Sequence, residues 1–296
     1  MNHLMIDIES TTLTEEDKEL LNHPKVGGII LFSRNFINKK QLIELTSSIR
    51  NLRKPPFIIA VDHEGGRVQR FRNEFTKLSS MREIGKLYDQ DHAKGLEKAE
   101  ETGFIMGSEL RAVGIDCSFA PDLDIDSGMS SIIGDRSFHS DPKAVSVLGL
   151  ALLRGQHRAG LIAVGKHFPG HGFVEADSHI AIPIDQRDFT TIAENDLIPF
   201  KYLIDAVIDG IMPAHVIYPK CDDKPAGFSQ FWLQRILRHE LNFRGMIFSD
   251  DLLMEGASPM GNIVERTIKA KQAGCDMLLI CNNRSAAIEV IKNEHT

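Results

Sequence analysis

Short apolar runs alternate along the chain with longer amphipathic segments. Eight of these runs are three to six residues long, as expected for buried strands: 3–8, 28–32, 57–61, 117–120, 162–165, 210–212, 246–248 and 277–280. A segment with helical periodicity follows most of them. Such alternation is typical of a parallel sheet covered by helices, and it predicts an α/β fold.

Six amphipathic segments predict helices that cover this sheet: 39–52, 94–113, 142–159, 192–208, 230–241 and 263–273. Eight strand–helix units favour a closed (β/α)8 barrel of the TIM type, and barrels of about 250 residues fit a chain of 296 residues. A doubly wound sheet is the alternative, but it usually carries a glycine fingerprint after its first strand, which residues 7–11 lack. The stretch 62–116 is long enough to add a hairpin or a helix between the third and fourth strands.

The composition bears on the number of domains, on the binding partners and on the cellular compartment. No segment rich in Pro, Ser or Gly divides the chain, so residues 1–296 are expected to form one domain. The 34 basic and 41 acidic residues are interspersed and give a net charge of −7, without the basic stripe that nucleic-acid binding requires. No apolar run approaches the roughly 20 residues of a membrane-spanning helix, and the amino terminus lacks the pattern of a signal peptide. The four cysteines form no CxxC pair, which favours a reducing cytoplasm.

Polar and ionisable residues follow almost every predicted strand. They include Ser33, Arg34, Asn35, Asp62, His63, Glu64, Asp122, Asp124, Lys166, His167, His215, Asp250 and Asp251. In α/β barrels the active site lies at the carboxyl ends of the strands. We therefore expect acidic and basic groups to converge on one face of the barrel and to form an active site there.

The densest polar cluster is the stretch 166–179, a loop punctuated by glycine and proline that holds three histidines and two acids. Residues 160–167 resemble a phosphate-binding loop, but His167 stands where Ser or Thr should hold magnesium, so nucleotide binding is not expected. Three histidines could bind zinc, but His167, His171 and His179 lie at spacings that are irregular for a metal site, so zinc is only a minor alternative.

Two aspartates and one histidine are candidates for acid–base or nucleophilic chemistry. Asp177 and His179 are two residues apart, and in a turn the carboxylate can fix the tautomer of the imidazole, which makes His179 a candidate proton donor and acceptor. Asp250 directly follows a strand and is a candidate carboxylate nucleophile. Capping the following turn is the alternative role, and it suits Asp251 at least as well. The chain contains no GxSxG motif for a serine nucleophile.

Five motifs together resemble the β-N-acetylglucosaminidases of family 3 of the glycoside hydrolases, and most closely the bacterial cytoplasmic enzymes of peptidoglycan recycling. In chain order the motifs are AVDHEGGRV (60–68), KHFPGHG (166–172), DSH (177–179), IMPAH (211–215) and FSDDL (248–252). The resemblance extends from Asp7 to about Asn283. It implies one catalytic domain.

The resemblance also implies roles for individual residues. In similar enzymes the residue matching Asp250 attacks the anomeric carbon of the sugar, and the residue matching His179 is the general acid and base, oriented by Asp177. The residues that bind the sugar correspond to Asp62, Arg70, Arg136, Lys166 and His167. His63 replaces the Gln often found in similar sequences, and we expect little effect because Asp62 makes the sugar contact. No metal and no cofactor is implied.

The expected activity is that of a retaining exo-enzyme that removes terminal β-linked GlcNAc from muropeptide fragments, GlcNAc-1,6-anhydroMurNAc with or without its peptide. This small sugar substrate is the expected partner, and the protein is expected to be a monomer. One Trp and three Tyr favour a small pocket over a long cleft, which stacks several sugars on aromatic rings.

Three alternative activities stay open. A neutral imidazole repels an incoming anion less than a carboxylate does, so phosphate is a conceivable acceptor in place of water. A metal-dependent barrel hydrolase and a catalytically silent sugar-binding barrel are the other two. The presence of both Asp250 and His179 disfavours the silent barrel.

Overall fold

The computed structural model describes residues 2–174 and 182–293, and a sheet of eight parallel strands lies at its centre. In chain order the strands are β1 (Leu4–Asp7), β2 (Val26–Leu31), β3 (Ile58–Val61), β4 (Cys117–Ser118), β5 (Ile162–Phe168), β6 (Gly210–Pro213), β7 (Met246–Ile247) and β8 (Leu278–Ile280). Each strand falls on one of the eight apolar runs. The predicted α/β fold with a parallel sheet is thereby confirmed.

Neighbouring strands pair in chain order from β1 to β7, and β8 pairs with the other side of β1. The sheet curls, and β7 and β8 form its two ends. One parallel bridge between Phe248 and Met277 joins these ends, and the N–H of Ser249 donates to the carbonyl of Met277 at 2.7 Å. The regular ladder is interrupted at this junction, so complete closure into a (β/α)8 barrel stays a prediction.

Helices cover the outer face of the sheet. They are α1 (Glu15–Leu21), α2 (Lys39–Arg50), α3 (Met81–Gln90), α4 (His92–Ala112), α5 (Pro142–Arg158), α6 (Phe189–Glu194), α7 (Leu197–Asp205), α8 (Ile263–Ala273) and α9 (Arg284–Asn293), with a helix of wider, π-type turns over Phe231–Glu240. The segment 192–208, predicted as one helix, is two, because Asn195 leaves the helical conformation and Asp196 turns its side chain to Arg187. In the part of the chain that is described, no helix is long and apolar enough to cross a membrane.

The connection between β3 and β4 carries the extra elements that its length predicts. A hairpin of two short strands, His63–Gly65 and Val68–Gln69, follows β3 directly, and α3 and α4 follow the hairpin. A capping box between Ser80 and Glu83 begins α3, since each side chain accepts a hydrogen bond from the backbone of the other. The hairpin keeps the polar residues after β3 at the carboxyl end of the sheet.

Two hydrophobic cores hold the sheet and the helices together. The larger core lies between the outer face of the sheet and the helices, and it includes Ile29 and Leu31 of β2. Successive side chains of a strand point to opposite faces, so Ile30 belongs to the smaller core inside the curled sheet. Phe119 and Met212 of this inner core also line the cavity described next. The inner core is therefore the floor of that cavity.

Candidate active site

A cavity of about 460 Å³ opens at the carboxyl ends of the strands. Its lining includes all six described residues that the sequence predicts for the site: Asp62, Arg70, Arg136, Lys166, His167 and Asp250. These residues belong to the ends of β3, β5 and β7 and to the connections after β3 and β4, so the strand ends bring together residues up to 188 positions apart in the chain. Asp177 and His179 lie outside the described residues.

Glu64 is the centre of a buried group of charges on one side of the cavity. Its carboxylate accepts two hydrogen bonds of 2.8 Å from the guanidinium of Arg136 and pairs with the ammonium of Lys166 at 2.7 Å. Burial raises the pKa of Glu64, but the two cations outweigh burial and hold the pKa well below its ordinary value. Glu64 is therefore an anion that fixes two cationic side chains at the cavity wall.

Asp62 is the more accessible carboxylate of this group, with 20% of its side chain exposed. Lys166 donates to its Oδ1 at 2.9 Å, and Arg70 lies 3.4 Å from its Oδ2. A carboxylate has about four sites that accept hydrogen bonds. Asp62 therefore retains acceptor capacity towards the cavity, where it can bind neighbouring hydroxyl groups of a ligand.

His167 is held in one orientation by Asp124. The Nδ1 of the imidazole lies 2.6 Å from Oδ2 of Asp124, which assigns the proton to Nδ1 and turns Nε2 towards Arg136 at 3.4 Å. Burial, together with the positive charge of Arg136, lowers the pKa of His167 to about 4. At neutral pH His167 is thus a neutral imidazole in a fixed tautomer.

Asp124 also fixes the start of the long histidine loop. Its Oδ1 accepts the backbone N–H of His171 at 2.7 Å.

The neighbouring carboxyl group of Asp122 is buried next to Asp124, and burial together with this like charge raises the pKa of Asp122 to about 8. Asp122 is therefore largely protonated at neutral pH.

Asp122, Asp124 and His167 are also the three residues, among those described, whose ligand atoms lie close enough together to hold a metal ion. Two contacts oppose that role. The guanidinium of Arg136 lies 3.5 Å from Oδ2 of Asp122, where it repels a second cation, and Nδ1 of His167 is already bonded to Asp124. The donor set fits hydrogen bonding to cationic side chains better than it fits a metal.

The two neighbouring aspartates after β7 have different surroundings. Oδ1 of Asp251 accepts the backbone N–H groups of Leu253 and Cys281, each at 3.1 Å, and burial raises the pKa of Asp251 to about 7. Asp250 accepts the N–H of Asp251 at 2.8 Å. Burial raises the pKa of Asp250, but His215, His167 and this N–H outweigh burial and lower it overall. Both aspartates line the cavity, but the carboxylate of Asp251 is hydrogen-bonded to two backbone N–H groups, whereas Asp250 is ionised and accepts one.

Three carboxylates of the site were expected at the active-site face but were given no individual role by the sequence: Glu64, Asp122 and Asp124. Their position after β3 and β4 was the available signal, because each follows a strand at the carboxyl end of the sheet. Nothing in the local pattern distinguishes a buried carboxylate that positions a cation from one that faces solvent.

The chain matches the family described as the glycosyl hydrolase family 3 N terminal domain over residues 4–295, and it belongs to this family. The β-hexosaminidase of Methylobacillus flagellatus is 56% identical over 290 residues, which cover 98% of this chain and 83% of that relative. The predicted class, a glycoside hydrolase of the β-N-acetylhexosaminidase type, is thereby confirmed.

Solved structures agree with the family assignment. The crystal structure of NagZ from Neisseria gonorrhoeae is similar with a TM-score of 0.95 and 47% identity, covering 99% of this chain and 85% of that one. The gonococcal protein has also been solved in complex with N-trifluoroacetyl-D-glucosamine and in complex with a zinc ion.

Replacing Glu64 with Gln should weaken substrate binding, because Gln has nearly the same shape as Glu but carries no charge. The substitution removes the anion that holds Arg136 and Lys166, so we expect kcat/KM for an aryl β-N-acetylglucosaminide to fall by about 10-fold or more, chiefly through KM. Steady-state kinetics measure the change, and Glu97→Gln on the exposed face of α4 is the matched control. A folded Glu64→Gln enzyme within about twofold of wild type would contradict the positioning role.

Replacing His63 with Gln should alter the dependence of stability on pH. His63 is buried beside Phe71 and Phe75, and burial lowers its pKa to about 3. The unfolded chain binds a proton near pH 6.5 that the folded chain does not, so the wild type should lose about 2 kcal/mol of stability between pH 7 and pH 5 through this residue.

The His63→Gln variant should lack this loss and keep its activity. Urea unfolding at pH 7 and pH 5 measures the difference, with His239→Gln, an exposed histidine, as the control. Equal pH slopes for wild type and His63→Gln would show that His63 does not titrate differently in the two states.

Proposed function

We propose that the protein is a retaining exo-β-N-acetylglucosaminidase that removes terminal GlcNAc from muropeptide fragments, GlcNAc-1,6-anhydroMurNAc with or without its peptide. One observation carries the proposal: an ionised carboxylate, Asp250, lines the same cavity as Asp62, Arg136 and Lys166. The first group suits attack on an anomeric carbon, and the others suit the hydroxyl and acetamido groups of one sugar.

We assign sugar binding to Asp62, Arg70, Arg136, Lys166 and His167. The carboxylate of Asp62 can accept hydrogen bonds from two neighbouring hydroxyls, and the cations can donate to hydroxyls or to the acetamido carbonyl. The size of the cavity and its lining support an exo-enzyme, because none of the Trp or Tyr residues lines it. A pocket for one terminal sugar does not need a row of stacking rings.

The proposed reaction has two steps. Asp250 attacks the anomeric carbon while the bond to the leaving oxygen breaks, and His179 donates its proton to that oxygen. His179 then takes a proton from water, whose oxygen attacks the same carbon and displaces Asp250. Two inversions give β-GlcNAc with its configuration retained. Asp177 orients His179 as the carboxylate partner of its imidazole.

We also infer the wider setting of this activity. The bridge between Phe248 and Met277 supports a closed (β/α)8 barrel, and we propose that residues 1–296 act as one catalytic domain. A monomeric enzyme in the cytoplasm, without a metal or cofactor, agrees with the interspersed charges, the four free cysteines and the hydrogen-bonded site. Full activity in EDTA supports the metal-free reaction, and loss of activity on chelation contradicts it.

Cleavage of GlcNAc-1,6-anhydroMurNAc followed by NMR of the anomeric protons tests substrate, stereochemistry and acceptor together. We expect β-GlcNAc as the first product, and the same product when phosphate is added. Early α-GlcNAc contradicts retention, and a sugar phosphate identifies phosphorolysis. An uncleaved muropeptide beside a rapidly cleaved aryl glycoside contradicts the natural substrate alone.

Replacing Asp250 with Ala should abolish the chemistry. We expect kcat to fall by about 10⁴-fold or more, because the covalent step loses its nucleophile. A 2-fluoro aryl glycoside should add the mass of its sugar to the wild-type peptide that contains Asp250, as measured by mass spectrometry. Asp223→Ala, an exposed aspartate, is the control and should behave as wild type. Label on another peptide would remove the assignment.

A further inference from the structure

The guanidinium of Arg187 contacts residues on both sides of the segment 175–181, which contains Asp177 and His179 in the sequence. Phe173 lies before this segment and Asp185 lies after it; they are called its two ends here. Arg187 makes five hydrogen bonds to two carboxylates. Three of them, at 3.0, 3.0 and 2.7 Å, go to Asp185. The other two, at 2.7 and 3.1 Å, go to Asp196, just before α7. Asp185 follows the loop, so these contacts fasten its second end to the body of the protein.

The same guanidinium contacts the first end of the loop. It lies over the ring of Phe173, 3.7 Å from the ring centroid, within the distance of a cation–π contact. Phe173 is the last residue but one before the segment 175–181, and Asp185 lies four residues after that segment. Arg187 therefore contacts both ends of the segment directly: Phe173 through its ring and Asp185 through hydrogen bonds.

Each of these ends also rests on the region after β6. The hydroxyl of Tyr218 donates to the carbonyl of Gly170 at 2.6 Å, and the N–H of Asp185 donates to the carbonyl of Ile217 at 2.8 Å. Gly170 lies so close to Asp196 that a Cβ atom there would be 2.5 Å from its Oδ1. Both flanks therefore contact the region after β6, and Asp196, a partner of Arg187, also lies against Gly170.

The composition of this group argues for a specific role. Asp185 and Asp196 have side chains only 2% and 1% exposed, and two buried carboxylates are costly unless a cation pairs with both. A planar guanidinium can bond two carboxylates and still present its face to a ring, whereas a lysine ammonium cannot. Arg187 itself is absent from the lining of the cavity, so it acts at a distance from the ligand.

We propose that Arg187 is a positioning residue: it fixes the spacing of Phe173 and Asp185, which flank the segment 175–181, and proton donation by His179 depends on that spacing. This inference rests on the roles of Asp177 and His179 in the proposed function. A displacement of about 1 Å in a catalytic group can cost about 100-fold in rate. Loss of Arg187 should therefore impair proton donation selectively and leave nucleophilic attack intact.

The test compares two aryl β-N-acetylglucosaminides that differ in their need for an acid. A 2,4-dinitrophenyl group leaves without protonation, whereas a phenyl group requires a proton donor. For Arg187→Lys we expect kcat/KM to fall by about 10- to 100-fold on the phenyl substrate and by less than about threefold on the dinitrophenyl substrate. A general loss of structure lowers both values equally.

A second variant keeps the ion pairs and removes only the ring contact. Phe173→Leu should show the same selectivity for the leaving group with a smaller loss, about 3- to 10-fold on the phenyl substrate. The surface of the protein offers matched controls, because Arg158 pairs with Glu100 and lies 4.9 Å from the Phe104 ring centroid. Arg158→Lys and Phe104→Leu repeat the two changes there and should leave both kcat/KM values unchanged.

His179→Ala serves as the reference for a missing acid. If it shows the loss on the phenyl substrate and the Arg187 and Phe173 variants do not, the positioning role is wrong and the proposed function stands. If the Arg187 variant loses activity on both substrates to the same extent, Arg187 is only structural. If His179→Ala itself shows no preference between the two substrates, His179 is not the acid, and the positioning role fails together with that assignment.

Discussion

The ion pairs of Glu64 with Arg136 and Lys166 join three parts of the chain that are distant in sequence: the connections after β3 and β4, and the end of β5. All three side chains are almost inaccessible to solvent, with exposed fractions of 2%, 11% and 3%. Desolvation of such charges offsets much of their attraction, so the network contributes little net stability, but removing one member costs about 3–5 kcal/mol. Its consequence is geometric, because the cationic donors are in place before a ligand arrives.

This network continues into the histidine loop. Arg136 faces Asp122 and His167, and Asp124 binds both the imidazole of His167 and the backbone of His171. The first part of the loop is therefore held by Asp124, the same carboxylate that orients His167 at the cavity. On the other side of the segment 175–181, Arg187 and the region after β6 hold the chain. Among the described residues, the ion pairs of Arg187 with Asp185 and Asp196 are not connected to the first network by any ion pair. Two separate charge clusters thus hold the residues on the two sides of the segment 175–181.

Much of the fold could be predicted because burial leaves a local signal. A parallel strand covered on both faces is apolar over most of its length, and all eight were visible as short apolar runs. Helix α1 was not predicted, because Glu15–Leu21 is short and mostly charged and has no apolar stripe. Its local signal is the capping box at Thr14. The break between α6 and α7 depends on Arg187, a tertiary contact that no local pattern contains.

The site was predicted unevenly for a related reason. The resemblance to a family supplied the residues that face the cavity, whereas Glu64 and Asp124 act through other side chains and carry no distinctive local pattern. The sequence proposed Asp250 as the nucleophile and left a capping role open for Asp251. The hydrogen bonds agree with this division, because Asp251 accepts two backbone N–H groups.

The distribution of cations agrees with Asp250 as the proposed nucleophile. Arg70, Arg136 and Lys166 all pair with carboxylates on one wall, whereas Asp250 has no Lys or Arg partner among the described residues and accepts one backbone N–H. A carboxylate bound by a cation has its charge neutralised and its lone pairs engaged, which weakens it as a nucleophile. The nearby histidines, the N–H of Asp251 and, without forming an ion pair, Lys166 lower the pKa of Asp250. Among the described residues, its second oxygen accepts no hydrogen bond, which agrees with the proposed attack of Asp250 on an anomeric carbon that becomes positive in the transition state.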